Sequence, residues 1–436
     1  MNNYLEQTIE AFRSNRSRYA RYERYYLGSH ELSFATDKFA NAFGSQFREF
    51  AMNLCPAVCD AVKDKLKIAR FAISSANQDS SAPKSTTSLT ADSGEISTRL
   101  DRVWHANRMP LRSGEVHKEA LKNGDSYVIV WPDANGRATI FPNRSDSVMV
   151  EYDGEAAGRI NRAAKIWRDT ESKTRINLFF PERIEKYISS RPGEGFLPDA
   201  AEFTPLNEKG RGSGKGSEAV VPNPFGRVPV FHFANNADLG SMGRSELEDA
   251  IPIQDGLNKS VLDMLVAMEF SAYRQRWAAG IELEYDADGK AIAPFKAGID
   301  HIWIAQDPNS RFGDFETAAL DQFLKVKDSF RIDIASVTGT PLHYLMPHMR
   351  GQPSGETMKK AETRFLAKVR DRQAAFGQTW ADLMEFALTI EGFGGLDVRT
   401  VWEDPAPSSD RERLENILLK RKIGLPVDQA LAEIEY

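Results

Sequence analysis

The chain has 436 residues, 41% hydrophobic and 27% charged, enough to bury a large core in two to four structural units without covalent staples. With 56 basic and 62 acidic residues its net charge is −6, which excludes a polycationic binder of nucleic acid; any such contact must be local or loose. Two cysteines exclude a disulfide framework and favour a cytosolic folding environment, and no run of 18 apolar residues is present to span a membrane.

The opening MNNYLEQTIEAFRSNR lacks an apolar h-region, so no signal peptide is expected. Residues 4–27 read as a helix in which Arg13, Arg16, Arg18, Arg21 and Arg24 alternate with Tyr19, Tyr22, Tyr25 and Tyr26. Such interleaving can bind nucleic acid by charge and stacking. The favoured alternative is a helix docked on its own domain or a neighbour, its Arg stems packed along Tyr faces, because Glu6, Glu10 and Glu23 offset much of the charge. Val58, Val62 and Leu66 repeat every four residues and predict a second helix over Leu54–Ile68. Ser74–Thr98 holds twelve Ser/Thr in twenty-five residues and reads as a loop or insertion, followed by helices over 96–107 and 111–123.

Short β-branched and aromatic runs then predict strands at Ser126–Trp131, Ala138–Phe141, Ser147–Tyr152, Ala164–Arg168, Arg175–Phe180, Arg183–Ser189 and Val228–Ala234. Turns such as Asn135-Gly136 and Asp153-Gly154 separate them, giving an antiparallel or mixed sheet after helices, an α+β arrangement. After Phe233 the pattern turns helical: Pro252 suits a first turn, and Ile253, Leu257, Val261, Met264 and Met268 follow at helical spacing towards Gly280. VLDMLVAM is apolar around most of its girth, so this helix is expected between neighbours.

Residues 281–316 carry eight acids and three bases, with a hairpin turning at Asp288-Gly289 and a strand at Ile299–Ala305. A helix over Phe315–Val337 has the stripe Leu320, Phe323, Leu324, Phe330, Ile334 and Val337; Lys325 projects opposite, whereas Lys327 falls inside the stripe, which suggests that another chain packs there. Pro341, Pro347 and Pro353 make 339–355 a loop whose only charge is Arg350. Ser354 is placed to cap a long helix through Ile390, on the order of 50 Å at 1.5 Å per residue. Val398–Glu403, a Pro-rich linker and two short helices, the first opened by a Ser409–Glu412 capping box, complete the chain.

The search for chemistry is largely negative. Lys209–Ser217 is Gly-rich, but Lys215 is followed by Gly216 and no apolar strand leads in, so it reads as a solvated loop rather than a phosphate cradle. Asp286-Ala-Asp-Gly-Lys lacks the remaining ligands of a calcium loop. Cys55 and Cys59, at i and i+4, have no partners at zinc spacing and read as buried thiols. His343 and His348 are close in sequence with no nearby acid to orient them. No catalytic set, metal site or cofactor is expected.

The order of the pieces resembles the portal proteins of tailed bacteriophages, the siphophage head-to-tail connector type. The likeness rests on YYLGSH, NLCPAVCDAVKDKL, IPIQDGLNKSVLDMLVAMEFSAYRQRWAAG, IWIAQDPNSRFGDF, IASVTGTPLHYLM and QPSGETMKKAET, in that order. It implies a mainly helical α+β subunit: a β-rich wing over 1–245, stem helices over 246–278 and 317–338, and a small α/β clip over 279–316. It further implies a tunnel loop over 339–355, a long wing helix over 356–391 and a crown over 392–436.

It also implies a homo-oligomeric ring, a dodecamer in the family, at one capsid vertex of a virion assembled in the host cytoplasm. Double-stranded DNA would pass through it without sequence readout, with no membrane involved. Terminase large subunit, head–tail adaptor, major capsid protein and scaffolding protein would be its partners. In that scheme Leu342, His343, Tyr344, Met346, His348, Met349, Arg350 and Gln352 lie on the tunnel loop and Lys325 on the channel face of the stem. Asp286, Asp288, Lys290, Lys296 and Asp300 lie on the docking clip. A lone Arg per subunit suits a sliding polymer, since each extra phosphate contact adds affinity. The loop's apolar groups could instead simply pack under the long helix. A nucleic-acid-processing enzyme with a scattered site and another oligomeric head–tail component remain the alternative readings.

Overall fold

The computed structural model describes residues 3–34, 36–37, 41, 51–73, 93–154, 158–193, 197–206, 219–239, 242–272, 276–280, 308–314, 320–346, 360, 362–406, 415, 418–419 and 422. The chain divides into two compact units. One comprises Met1–His30, Asn53–Gln254 and Ile332–Tyr436; the other comprises Glu31–Met52 and Asp255–Arg331.

In the first unit, helix α1 (Asn3–Tyr26) buries Tyr4, Leu5, Ile9, Phe12, Tyr19, Tyr22 and Tyr25, a 3–4 spacing that makes one apolar stripe. Helix α2 (Cys55–Lys63) carries Pro56 in its first turn, where a missing N–H costs nothing, and buries Cys55, Val58, Cys59 and Val62. The expected helix to Ile68 stops five residues early. Ile68–Ile73 is instead strand β1, drawn out by pairing with a strand at the far end of the sequence, while Leu66 still reaches the core. Helices α3 (Ser93–Ala106) and α4 (Met109–Asn123) match their expected positions.

Ten more strands among the described residues follow the β-rich stretch and the late region. They are β2 (Asp125–Pro132), β3 (Ala138–Asn143), β4 (Val148–Tyr152), β5 (Ile160–Arg168), β6 (Lys173–Phe179), β7 (Arg183–Pro192), β8 (Phe203–Pro205), β9 (Val220–Pro222), β10 (Val230–Ala234) and β13 (Val398–Trp402). Every pairing is antiparallel, so the mixed-sheet alternative falls away. The single sheet expected is in fact two, of orders β10-β2-β3 and β4-β5-β6-β7-β8 with β9 on β7, besides the pair β1-β13. The Asn135-Gly136 turn closes β2–β3, with Asp133 N–H donating to the Arg137 carbonyl at 2.8 Å. The short strands β8 and β9 were not expected; three residues each give too little pattern to read.

Period-2 alternation sends the two faces of the six-stranded sheet to different cores. Ala164, Ile166, Ile176 and Leu178 meet α1 through Tyr4, Leu5, Ile9 and Phe12. Val148, Val150, Ala163, Phe179 and Ile184 meet Tyr127, Ile129 and Val230 of the three-stranded sheet. The long helix, α8 (Thr363–Ile390), is about 42 Å by its 28 residues and packs its aromatic groups on that smaller sheet. Phe233 lies 4.6 Å from Trp380, and Phe231 5.7 Å from Phe386, ring centre to ring centre.

The division between units falls within helices α5 (Ala250–Ala272) and α6 (Leu320–Thr338). Within the second unit, Ser33 Oγ donates to Asp255 Oδ2 at 3.0 Å, and the ring of Phe330 lies so close to Gly256 that a Cβ there would sit 3.0 Å from it. The helix expected to continue towards Gly280 ends at Ala272. Arg276–Ala279 is strand β11, paired with β12 (Arg311–Asp314), with the Trp277 ring lying over Gly313. The expected hairpin at Asp288-Gly289, the strand Ile299–Ala305, the Ser354 cap and the Ser409–Glu412 capping box lie outside the described residues.

Candidate functional site

The residues singled out in the sequence divide into three groups. Asp286, Asp288, Lys290, Lys296 and Asp300, with His348, Met349, Arg350 and Gln352, lie outside the described residues. Lys325 is exposed on α6, while Lys327 is half-buried in the stripe. Leu342, His343, Tyr344 and Met346 fall in a segment that is not wholly loop: Leu342–Leu345 forms one helical turn, α7, because Pro341 opens it and Tyr344 N–H returns to the Pro341 carbonyl at 3.0 Å.

That turn is fastened to the start of α8. Leu345 is buried, Tyr344 meets Phe365 edge-on at 5.8 Å, and Tyr344 Oη donates to Glu362 Oε1 at 3.5 Å. His343 does have an acid to orient it: Nε2 lies 3.2 Å from Glu362 Oε1. The sequence reading missed this partner because it sits nineteen positions downstream (343 to 362), across Pro347 and Pro353. For 341–346, these are the contacts of the packing alternative.

A buried charge cluster joins the residues just before α5, the end of α6 and the first turns of α8. Glu246 lies just before α5, pinned by its own N–H to the Leu121 carbonyl at 2.9 Å. Its Oε2 is 2.5 Å from Lys368 Nζ, and its Oε1 accepts Arg372 Nη2 at 3.1 Å and Asn235 Nδ2 at 3.1 Å. Lys368 Nζ also donates to the Thr338 carbonyl at 2.8 Å. All three charged side chains are largely buried, at 7% for Glu246, 16% for Lys368 and 6% for Arg372. Desolvation pushes the Glu246 carboxyl up, but Lys368 and Arg372 outweigh it and hold it below its ordinary value. A polar cavity of about 150 Å³ adjoins the cluster, lined by Asn236, Arg244, Asp249, Val337, Thr338 and Lys368 among others.

A second buried centre sits on Asp125 at the start of β2, fully shielded from solvent. Its Oδ2 accepts Arg18 Nη2 at 3.0 Å and Tyr19 Oη at 2.8 Å; its Oδ1 accepts the Gly243 N–H at 2.7 Å and faces His232 Nε2 at 2.8 Å. His232 Nδ1 in turn meets Tyr152 Oη at 2.7 Å. Desolvation raises the Tyr152 phenol to about 12, so it stays neutral. One carboxylate thus ties α1, β2, β10 and β4 together. This is the docked reading of the Arg/Tyr helix, with Arg18 stacked on Tyr19 at 4.8 Å and Arg21 on Tyr25 at 5.9 Å.

In both clusters the carboxylate is already engaged by donors, Asp125 by Arg18, Tyr19 and the Gly243 N–H, and Glu246 by Lys368, Arg372 and Asn235. Cys55 and Cys59 are buried and form no disulfide, and burial pushes the Cys59 thiol well up, leaving it inert. Among the described residues no group of three or more His, Cys, Asp or Glu is placed to hold a metal ion, and no helix is long and apolar enough to cross a membrane.

Comparison with known proteins gives one family. A model described as phage portal protein, SPP1 Gp6-like, matches residues 5–433. The chain is 26% identical over 334 residues to the portal protein of Mycobacterium phage L5, covering 72% of this chain and 64% of that protein. It is likewise 26% identical over 337 residues to the portal protein of Mycobacterium phage D29, with the same shares covered. The match thus spans less than two thirds of the length of these relatives.

Proposed function

The chain belongs to the phage portal protein family of SPP1 Gp6-like type, and on that premise we propose that it closes into a homo-oligomeric ring at one vertex of a phage capsid, the channel through which double-stranded DNA enters and leaves. The observation that carries this reading is the extent of the family match, 5–433 of 436 residues, which takes in both helices α5 and α6 and everything between them. Exposed apolar groups on α6 support it: Leu324, Val326, Ile332 and Val337 are each more than 40% exposed in the single chain, as expected of a helix that meets neighbouring copies. The ring is taken as a dodecamer, with α5 and α6 as stem and Lys325 on its channel face.

The segment 281–316, at net charge −5, is assigned to protein docking, since it repels phosphate. Asp286, Asp288, Lys290, Lys296 and Asp300 would meet terminase during packaging and the head–tail adaptor afterwards, with major capsid and scaffolding proteins against the outer parts of the ring. Residues 347–352 would present His348, Met349, Arg350 and Gln352 to DNA without sequence readout, while 341–346 anchor that loop to α8. The ring has no catalytic step of its own; nucleotide hydrolysis belongs to the separate motor.

Negative-stain imaging of the purified protein tests the reading: rings with a central hole are expected. Light scattering that finds only a 48.8 kDa monomer at every concentration and salt, even with capsid or scaffolding protein added, would remove its basis.

A further inference from the structure

Helix α6 ends at Thr338, and the last carbonyl groups of a helix have no partner inside it. Here the Thr338 carbonyl takes its hydrogen bond from Lys368, whose ammonium also meets the negative end of the helix dipole. Ile334, one turn earlier, is 1% exposed and fixed by packing. The final turn is different: Val337 is 46% exposed, and the polar cavity of about 150 Å³ lies against Val337, Thr338 and Lys368. On the cavity side the turn is held by polar contacts: Thr338 Oγ1 donates to the Ile334 carbonyl at 2.7 Å, and Lys368 supplies the charged bond to the Thr338 carbonyl.

We infer that Lys368 is a positioning residue for the segment that follows α6, fixing residues 338–346 and thereby the loop to which they lead. The functional half of this inference rests on the assignment of that loop to the DNA channel; the structural half does not. Besides the burial of Leu345 and the Tyr344–Phe365 contact, the segment has two polar fastenings to α8 or the residue just before it, Thr338 by Lys368 and His343 by Glu362.

The cluster is asymmetric. Without Lys368, Glu246 keeps Arg372, through Nε at 3.2 Å and Nη2 at 3.1 Å, and Asn235, so no buried charge is orphaned. Without Glu246, Lys368 and Arg372 face each other across a buried site with their shared acid gone, a costly arrangement. Loss of Lys368 should therefore loosen one segment, whereas loss of Glu246 should weaken the unit.

Hydrogen exchange read by mass spectrometry on the full chain tests this, comparing wild type with Lys368→Met, Lys368→Arg and Glu246→Gln. Lys368→Met is expected to speed exchange of the 338–346 amides roughly tenfold or more, while amides of Trp380–Leu388 keep wild-type protection. Lys368→Arg should restore most of the protection, and Glu246→Gln should loosen both regions. Wild-type exchange of 338–346 in Lys368→Met, or equal loosening of Trp380–Leu388, overturns the inference. Absence of rings in wild-type images would sink the portal reading and leave this measurement intact. Conversely, a loosened segment in particles that still retain DNA at wild-type yield would overturn the functional half alone.

Discussion

The indole Nε1 of Trp380 donates to Nε2 of His117 across 2.8 Å, and both side chains are fully buried. The ring is therefore a neutral acceptor, stacked on Phe376 at 5.6 Å, and burial depresses its pKa from 6.5 to about 3. The folded state refuses a proton that the unfolded chain takes up. Stability from this group is thus complete above about 6.5 and is lost progressively as pH falls towards about 3. Thermal melts from pH 8 to pH 4 should show a decline that is shallower in His117→Gln; equal slopes would refute the assignment. At neutral pH, Trp380→Phe should cost about 2 kcal/mol or more, from the unpaired imidazole and the smaller ring.

Asp125→Ala removes the shared acceptor of Arg18, Tyr19 and the Gly243 N–H and the partner of His232. Leaving such groups buried without a counter-charge should cost about 3–5 kcal/mol in urea unfolding. Because two of them lie on α1, limited proteolysis should cut within 13–28 faster in the variant than in the parent.

Gly243 lies back to back with Gly124. A Cβ on Gly243 would sit 1.9 Å from the Gly124 carbonyl oxygen, a backbone atom itself held by the Asn235 N–H at 2.7 Å. Gly243→Ala should exceed about 4 kcal/mol and yield little folded protein by near-ultraviolet circular dichroism. A variant that folds with parental stability would show that this crossing can relax.

Leu324→Arg should separate folding from assembly. The side chain is 46% exposed, so the monomer's stability should move by less than about 0.5 kcal/mol. Ring yield in mass photometry should fall sharply if α6 meets neighbouring copies; unchanged ring yield would place the interface elsewhere.

Arg350→Glu should leave ring assembly intact and impair DNA packaging or retention, since it reverses the one charge of the 339–355 segment. Wild-type packaging by this variant would leave Arg350 without a role on DNA.

Local pattern carried much of this fold. The Tyr and Arg alternation of α1 read correctly as a docked helix because burial at Tyr19, Tyr22 and Tyr25 follows helical spacing. The runs from Ser126 to Ala234 read as strands because each is short, rich in aromatic and β-branched residues, and bounded by turns such as Asn135-Gly136. What escaped was non-local. Strand β1 begins where the fourfold repeat of Val58, Val62 and Leu66 ends, and only its partner β13 defines it. Arg276–Ala279 falls inside the helix expected to run towards Gly280, because its partner, Arg311–Asp314, lies near the far end of the acidic segment. The charge clusters had no spacing to betray them: Glu246, Lys368 and Arg372, or Arg18, Asp125 and His232, are gathered by the fold alone.

The pairing of β1 with β13 sets a schedule for synthesis. Residues 68–73 leave the ribosome long before residues 398–402, and at about 5–20 residues per second the wait is on the order of tens of seconds. Throughout that interval a strand edge of IARFAI stands open, with Arg70 as its sole charge. The β1–β13 sheet therefore closes only after residue 402 has been translated, and a nascent chain truncated before residue 398 should bind chaperones that a chain carrying both strands does not.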